Sequence, residues 1–173
     1  MKGGYMSTSY LRFDKDSPEQ QALVVWWREL DNNYRGERAA LRRSAALAEV
    51  AFSPAYHRLR LAVGRFGAVD YEGLALVAGL AARVKKIDGE GSTIAEQMAT
   101  GKIDGSARVS GLRFRRLLKV KEHEALFTSM TRIIALLGGN VNLQSLAQSV
   151  YFWNDITRKN WAFEYYSKAT NEA

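Results

Sequence analysis

What most limits the folds open to this 173-residue chain is the repetition of helix-start signals along it. Ser17-Pro18-Glu19-Gln20 is the fullest of them. A serine oxygen can take a first-turn N–H, proline suits the first helical position, and a glutamine three residues on can reach back to complete a capping box. Ser53-Pro54 repeats the serine–proline start, Thr93 with Glu96 makes a second box, and Asp70, Ser110 and Asn142 stand at further N-cap positions. Behind these signals apolar residues recur three and four positions apart, the period of a helix with one buried face. Leu23, Trp26, Trp27 and Leu30 follow the first, and Leu74, Val77, Leu80, Ala81 and Val84 follow Asp70. No alternating strand, tandem repeat or low-complexity tract interrupts the pattern. The expected class is all-α, a bundle of about seven to nine helices built as one domain or as two small lobes sharing a core.

The same signals place boundaries. The first helix should end around Asp31-Asn32-Asn33, and a second should run unbroken from Glu37 to Val50. Gly64-Arg65-Phe66-Gly67 closes a third, and Gly138-Gly139-Asn140 closes a helix over Glu122 to Leu137 whose inward face carries Leu126, Phe127, Met130, Ile133 and Ile134. Asp155 to Ser167 is the last helix. Residues 1–16 mix Gly, Ser, Tyr and charge without periodicity and are expected to be a flexible lead-in to a single helical domain over 17–173. The polar, glycine-rich stretch from Asp88 to Ser106 reads as a flexible connector holding one short helix. Helical spacing puts Trp26, Trp153 and Trp161 in the core and leaves Trp27 and Tyr166 half exposed.

Charge narrows the function classes. Lysine plus arginine total 25 against 18 acids, for a net charge of +7, while the apolar fraction of 47% supports a packed interior. Such an excess draws polyanions in general, and its arginine-rich clusters favour nucleic acid among them. There is no cysteine, which excludes disulfides and thiolate metal sites and is compatible with a reducing cytosol. No run reaches the ~20 apolar residues that span a bilayer. The opening stretch lacks the apolar core of a signal peptide, so a cytoplasmic location without a membrane partner is expected.

Catalytic and cofactor motifs fail on inspection. In Glu122-His123-Glu124 successive side chains splay about 100° apart on a helix and cannot converge on one ion. His57 is the only other histidine and lies in a different segment. Gly101-Lys102 is followed by Ile103 rather than Ser or Thr, and Glu96 stands where a phosphate loop needs an earlier glycine. No serine or threonine is paired with a histidine base by any local pattern. The sequence therefore assigns no catalytic residue, no metal site and no cofactor.

The strongest functional feature is Ser110 to Lys121. As a helix it has Phe114, Leu117 and Leu118 on one side, and Arg113, Arg115, Arg116 and Lys119 sweeping round the other. Forked guanidinium groups and a point-charge lysine suit phosphate. A second cluster stacks Arg38 and Arg42 one turn apart with Arg43 beside them.

In order along the chain come Trp26-Trp27-Arg28-Glu29-Leu30, Gly36-Glu37-Arg38-Ala39-Ala40-Leu41-Arg42-Arg43 and Arg113-Phe114-Arg115-Arg116-Leu117-Leu118. They are followed by Val141-Asn142 through Leu146-Ala147, by Tyr151-Phe152-Trp153-Asn154-Asp155, and by Arg158-Lys159-Asn160-Trp161-Ala162 closing on Tyr165-Tyr166. Together these stretches resemble the CasB family, the small subunit of the type I-E CRISPR surveillance complex Cascade. The resemblance spans nearly everything after residue 25 and is weak over Met1 to Pro18 and Lys85 to Val109. It implies a non-enzymatic helical protein that associates with a second copy of itself and with other Cascade subunits. Its basic surface would hold the crRNA–target heteroduplex and the displaced DNA strand through backbone contacts without sequence preference. Carried over residue by residue, that role falls on Arg38, Arg42, Arg43, Arg113, Arg115, Arg116 and Lys119, and further on Arg28, Arg132 and Arg158. Two other readings compete: a helical adaptor whose basic face meets an acidic protein partner, and a hydrolase or nuclease acting through scattered carboxylates.

Overall fold

Side-chain caps start most of the helices. A computed structural model describes residues 10–89 and 91–173. Within it Ser17, Ser53, Asp70, Thr93, Ser110 and Asn142 each accept a first-turn backbone N–H. The helices are α1 (Pro18–Asn32), α2 (Arg35–Arg43), α3 (Leu47–Ala51), α4 (Pro54–Gly64), α5 (Tyr71–Ala81), α6 (Ile94–Ala99), α7 (Gly111–Leu118), α8 (His123–Leu136), α9 (Leu143–Tyr151) and α10 (Asp155–Lys168). A single tighter turn, Thr170–Glu172, closes the chain. The expected class holds: these ten helices form an all-α bundle.

The axis of the bundle is α5. Every residue from Gly73 to Ala81 is buried, which suits a helix apolar on all sides. It packs against α2, α3, α4, α8 and α9. Gly79 permits the approach of α8, since a Cβ there would stand 2.7 Å from the Phe127 ring. α6 packs along α10. A parallel pair of two-residue strands, β1 (Lys86–Ile87) and β2 (Asn140–Val141), ties the end of α5 to the end of α8. Two residues per strand are too few to give an alternating pattern, so the sequence shows no sign of the pair. Gly138 and Gly139, with φ of 70° and 77°, make the left-handed turn between α8 and β2.

Three expectations meet a different outcome. The single helix over Glu37 to Val50 is two helices, α2 and α3, with Ser44 extended at ψ 123° between them. The break is held by side chains: Glu49 accepts the Ala45 N–H at 3.1 Å and Glu124 accepts that of Leu47 at 3.0 Å. Next, Leu11 and Phe13 of the segment read as a lead-in are fully buried. The Leu11 N–H donates to Ala68 O at 3.2 Å, and Phe13 binds Gln148 Oε1 and Gln144 Nε2 through its backbone at 2.7 and 2.6 Å. The earlier part of that segment, residues 1–9, lies outside the described residues. Finally, the glycine-rich interval is packed where its short helix runs, because Ile94, Ala95, Met98 and Ala99 are buried and Met98 O accepts the Val109 N–H at 2.9 Å, while residues 101–105 are exposed.

The tryptophans follow helical spacing with one adjustment. Trp26 and Trp161 are buried, Trp27 and Tyr166 are half-buried, and Trp153 is half-buried rather than in the core. Trp153 packs edge-on against Trp161 and donates to Val120 O at 2.8 Å. The capping box at α1 is only half made. Ser17 Oγ accepts from Gln20 N at 3.1 Å, but the Ser17 N–H donates to Asp14 O, leaving the Gln20 side chain out of the cap. Full burial of Trp161 and Phe114 sets the first prediction: Trp161→Ala or Phe114→Ala lowers unfolding stability by about 3–5 kcal/mol in denaturant titration. An unchanged midpoint would show that the ring is not core.

Candidate nucleic-acid interface

α7 is assembled from its buried side outward. Phe114 stacks on Tyr165 of α10 at 3.9 Å between ring centroids and meets Tyr166 edge-on at 5.8 Å. The Tyr165 hydroxyl donates to Val109 O at 2.6 Å just before the helix begins. Burial, with Glu172 close by, pushes the Tyr165 phenol up to about 12, so it remains a donor. With Leu117 also buried, Arg113, Arg115, Arg116 and Lys119 are left on the solvent side. Arg115 donates to Glu172 O at 3.1 Å, and Glu172 Oε2 accepts the Gly111 N–H at 2.9 Å, so this arginine also ties down the closing turn. Arg113, Arg116 and Lys119 have no side-chain hydrogen bond or ion pair among the described residues.

The α2 cluster is different. Arg38, expected on an exposed face one turn from Arg42, is 8% exposed. Its guanidinium donates to Ala82 O at 3.4 Å, Val84 O at 2.7 Å and Asp31 at 2.7 Å. Arg42 donates through Nε to Ala82 O at 2.8 Å while the residue stays exposed, and Arg43 is exposed. From the other side, Arg83 binds the carbonyls of Leu41, Arg42, Ser44 and Gly79 at 3.3, 3.0, 2.7 and 2.6 Å. Burial, reinforced by the charge of Arg42, pulls both Arg38 and Arg83 below the ordinary guanidinium value. Arg38 therefore ties α2 to the end of α5 and is withdrawn from the surface. Arg83 carries no role in the sequence reading. The signal available was a lone arginine directly after the apolar run that ends at Ala82.

The remaining expected positions divide the same way. Arg28 on α1 and Arg132 on α8 are exposed. Arg158 is largely covered, donating to Val120 O at 3.1 Å and pairing with Asp155. One cation in the interval that carried no expected role stands out: Lys85 is exposed beside Arg42 and Arg83. These three line a hollow of about 310 Å³ with Thr131, Gly138 and Gly139 at the end of α8. The structure thus brings Arg42 and Lys85 together and puts the α7 cations on a separate support, α10.

Elsewhere His123 Nδ1 lies 3.4 Å from Glu72 Oε1. No group of three or more His, Asp or Glu among the described residues is placed to hold a metal ion. No described helix is long and apolar enough to cross a membrane. Chemically, the outer cations offer multidentate binding to phosphate oxygens.

Fold and surface together define a basic helical protein whose inner arginines hold helices and whose outer ones face solvent. Residues 37–166 match the model of the family described as CRISPR-associated protein Cse2, and the chain belongs to that family. The structure resembles a chain in the crystal structure of E. coli Cascade bound to a PAM-containing dsDNA target, with a TM-score of 0.69 at 19% identity over 87% of this chain and 96% of that one. It also resembles CasB from Thermus thermophilus, with a TM-score of 0.62 at 26% identity over 87% and 99% of the two chains. No curated protein matches the sequence.

The two kinds of arginine separate in a stability measurement. Arg83→Ala and Arg38→Ala each lower unfolding free energy by about 2–3 kcal/mol, because buried carbonyls at Arg38 and part-buried ones at Arg83 lose charged donors. Arg113→Ala and Arg116→Ala stay within about 0.5 kcal/mol. Equal losses at all four positions would remove the distinction.

Proposed function

We propose that this chain is a non-catalytic subunit of Cascade that holds nucleic-acid backbones. In this reading it stabilises the crRNA–target heteroduplex and the displaced DNA strand in antiviral defence. The observation that carries the reading is α7: its apolar face is locked against α10 while Arg113, Arg116 and Lys119 stand unpaired among the described residues. Membership of the Cse2 family, and likeness to a chain of a DNA-bound Cascade, support the same reading. Opening a DNA duplex while forming a heteroduplex is nearly balanced in energy, so a few phosphate contacts suffice to tip it. Such contacts need no sequence preference. Arg28, Arg42, Arg43, Arg132 and Lys85 extend the basic surface.

The partners proposed are DNA and crRNA, a second copy of the chain, and neighbouring Cascade subunits, in the cytoplasm. Exposed Ile156 and Phe163, two turns apart on α10, and exposed Phe52 and Leu61 favour protein contacts of this kind. The same exposed apolar side chains are what an adaptor for an acidic protein would also show, so the test must separate charge from contact.

If about 4–6 phosphates of a single strand are neutralised, log affinity falls against log salt with a slope of roughly −3 to −4, about a hundredfold between about 50 and 200 mM salt. Replacing Arg113, Arg116 and Lys119 together with alanine makes the slope shallower by about 2 and leaves the melting temperature nearly unchanged. An assembled complex carrying the triple variant forms R-loops less readily while still loading its guide. A flat salt response in the parent protein contradicts the proposal. A variant that leaves the complex while binding DNA normally makes α7 a protein-docking face, as the adaptor reading requires.

A further inference from the structure

The unfinished capping box of α1 leaves a side chain with no structural task. Gln20 is 8% exposed, and its Oε1 is enclosed without any hydrogen-bond partner. Gln20 lines a cleft of about 370 Å³ between α1 and the start of α9, inside the ~300–1,000 Å³ range of ligand clefts. Successive turns of α1 supply Gln20, Val24, Val25 and Arg28, Ile87 of β1 faces them, and Lys15 stands at the rim. The other carboxamides there are engaged: Gln21 donates to Asp16 O at 3.2 Å, Gln144 to Phe13 O at 2.6 Å, and Asn142 to Ser92 O at 2.9 Å. Two cations, Lys15 and Arg28, face one acid, Asp16.

We infer that this cleft binds one unpaired nucleotide of a single strand, with the base against Val24, Val25 and Ile87 and the flanking phosphates on Lys15 and Arg28. The inference rests on the nucleic-acid reading above and adds to it a site for a base. An unpaired base presents a flat apolar face and an edge with adjacent donor and acceptor groups. A carboxamide matches such an edge with two parallel hydrogen bonds, and a thymine N3–H beside a carbonyl is one example. The terminal torsion of glutamine is soft, so the amide can turn its oxygen and nitrogen to meet the edge. An orphaned amide oxygen thereby gains the donor that the protein itself does not provide. Val25 is 54% exposed, so the wall is open to an entering base. The site would be tolerant of base identity, in keeping with a protein that reads no sequence.

The test compares oligothymidylate with an abasic oligonucleotide of equal length and phosphate count. Wild-type protein should bind oligothymidylate roughly tenfold more tightly. Gln20→Leu, which keeps the volume and removes the amide, should cut that preference about threefold or more at an unchanged salt slope. Val25→Asp, placed on an exposed position and so harmless to folding, should bring it towards equality even if Gln20→Leu proves unstable. Arg28→Ala should weaken both oligonucleotides alike. Equal binding of both by the wild type overturns the inference while leaving backbone binding intact. A preference that neither Gln20→Leu nor Val25→Asp alters also overturns it. Binding of neither oligonucleotide removes the nucleic-acid reading itself.

Discussion

α2 and α5 close each other's C-terminal ends with arginine. Any helix leaves its last carbonyls without internal partners, and an end inside a bundle has no water to supply donors. Arg83, just past α5, donates to Leu41, Arg42 and Ser44 at the end of α2. Arg38 and Arg42 donate to Ala82 beyond the end of α5, and Arg38 reaches Val84 as well. A planar guanidinium with five donors can bridge several carbonyls at once, which the three donors of lysine, clustered on one nitrogen, do less well. The exchange fixes α2 on the central helix, and the loss of its last carbonyls to Arg83 stops α2 at Arg43. From that stop follow the extended Ser44, the separate α3, and the seat of Val50 against Gly79.

That constraint decides which cations are available for anything else. A guanidinium held by several carbonyls at a helix end is partly desolvated and engaged, and moving it onto a phosphate would expose the helix ends it serves. Arg38 and Arg83 are of this kind, and Arg158 approaches it. On α7 the division runs the other way, because the aromatic stack of Phe114 on Tyr165 holds the helix and leaves the charges of Arg113, Arg116 and Lys119 outside. The two clusters look alike as strings of arginine. They differ in what lies beneath them.

Much of this could be read in advance because it is local. Caps and apolar periodicity are encoded within a few residues, so helix starts at Ser17, Asp70, Ser110 and Asn142 were legible, as was the inward placement of Phe114 and Trp161. Most of the stretches that carry the family resemblance likewise fall within the Cse2 match over residues 37–166, while Trp26 to Leu30 lies ahead of it. What could not be read depends on distant neighbours. Helical spacing gives the angle at which Arg38 leaves α2 but not the carbonyls of Ala82 and Val84, 44 and 46 residues on, that wait there just past α5. Leu11 and Phe13 show too little pattern for their burial, which comes from Ala68 and Gln148 far along the chain. At Gln20 the local rule itself misled: the motif was complete, but Asp14 O took the N–H that the glutamine needed.

The division of arginines into holding and binding groups is tested most directly by the side-chain Nε–Hε signals of the folded protein in nuclear magnetic resonance, followed during titration with single-stranded DNA. Arg38 and Arg83 should show slowly exchanging signals that do not move as DNA is added. Those of Arg113 and Arg116 should exchange fast, shift on addition, and return when salt is raised. Shifts at Arg38 and Arg83 with none on α7 would contradict the account.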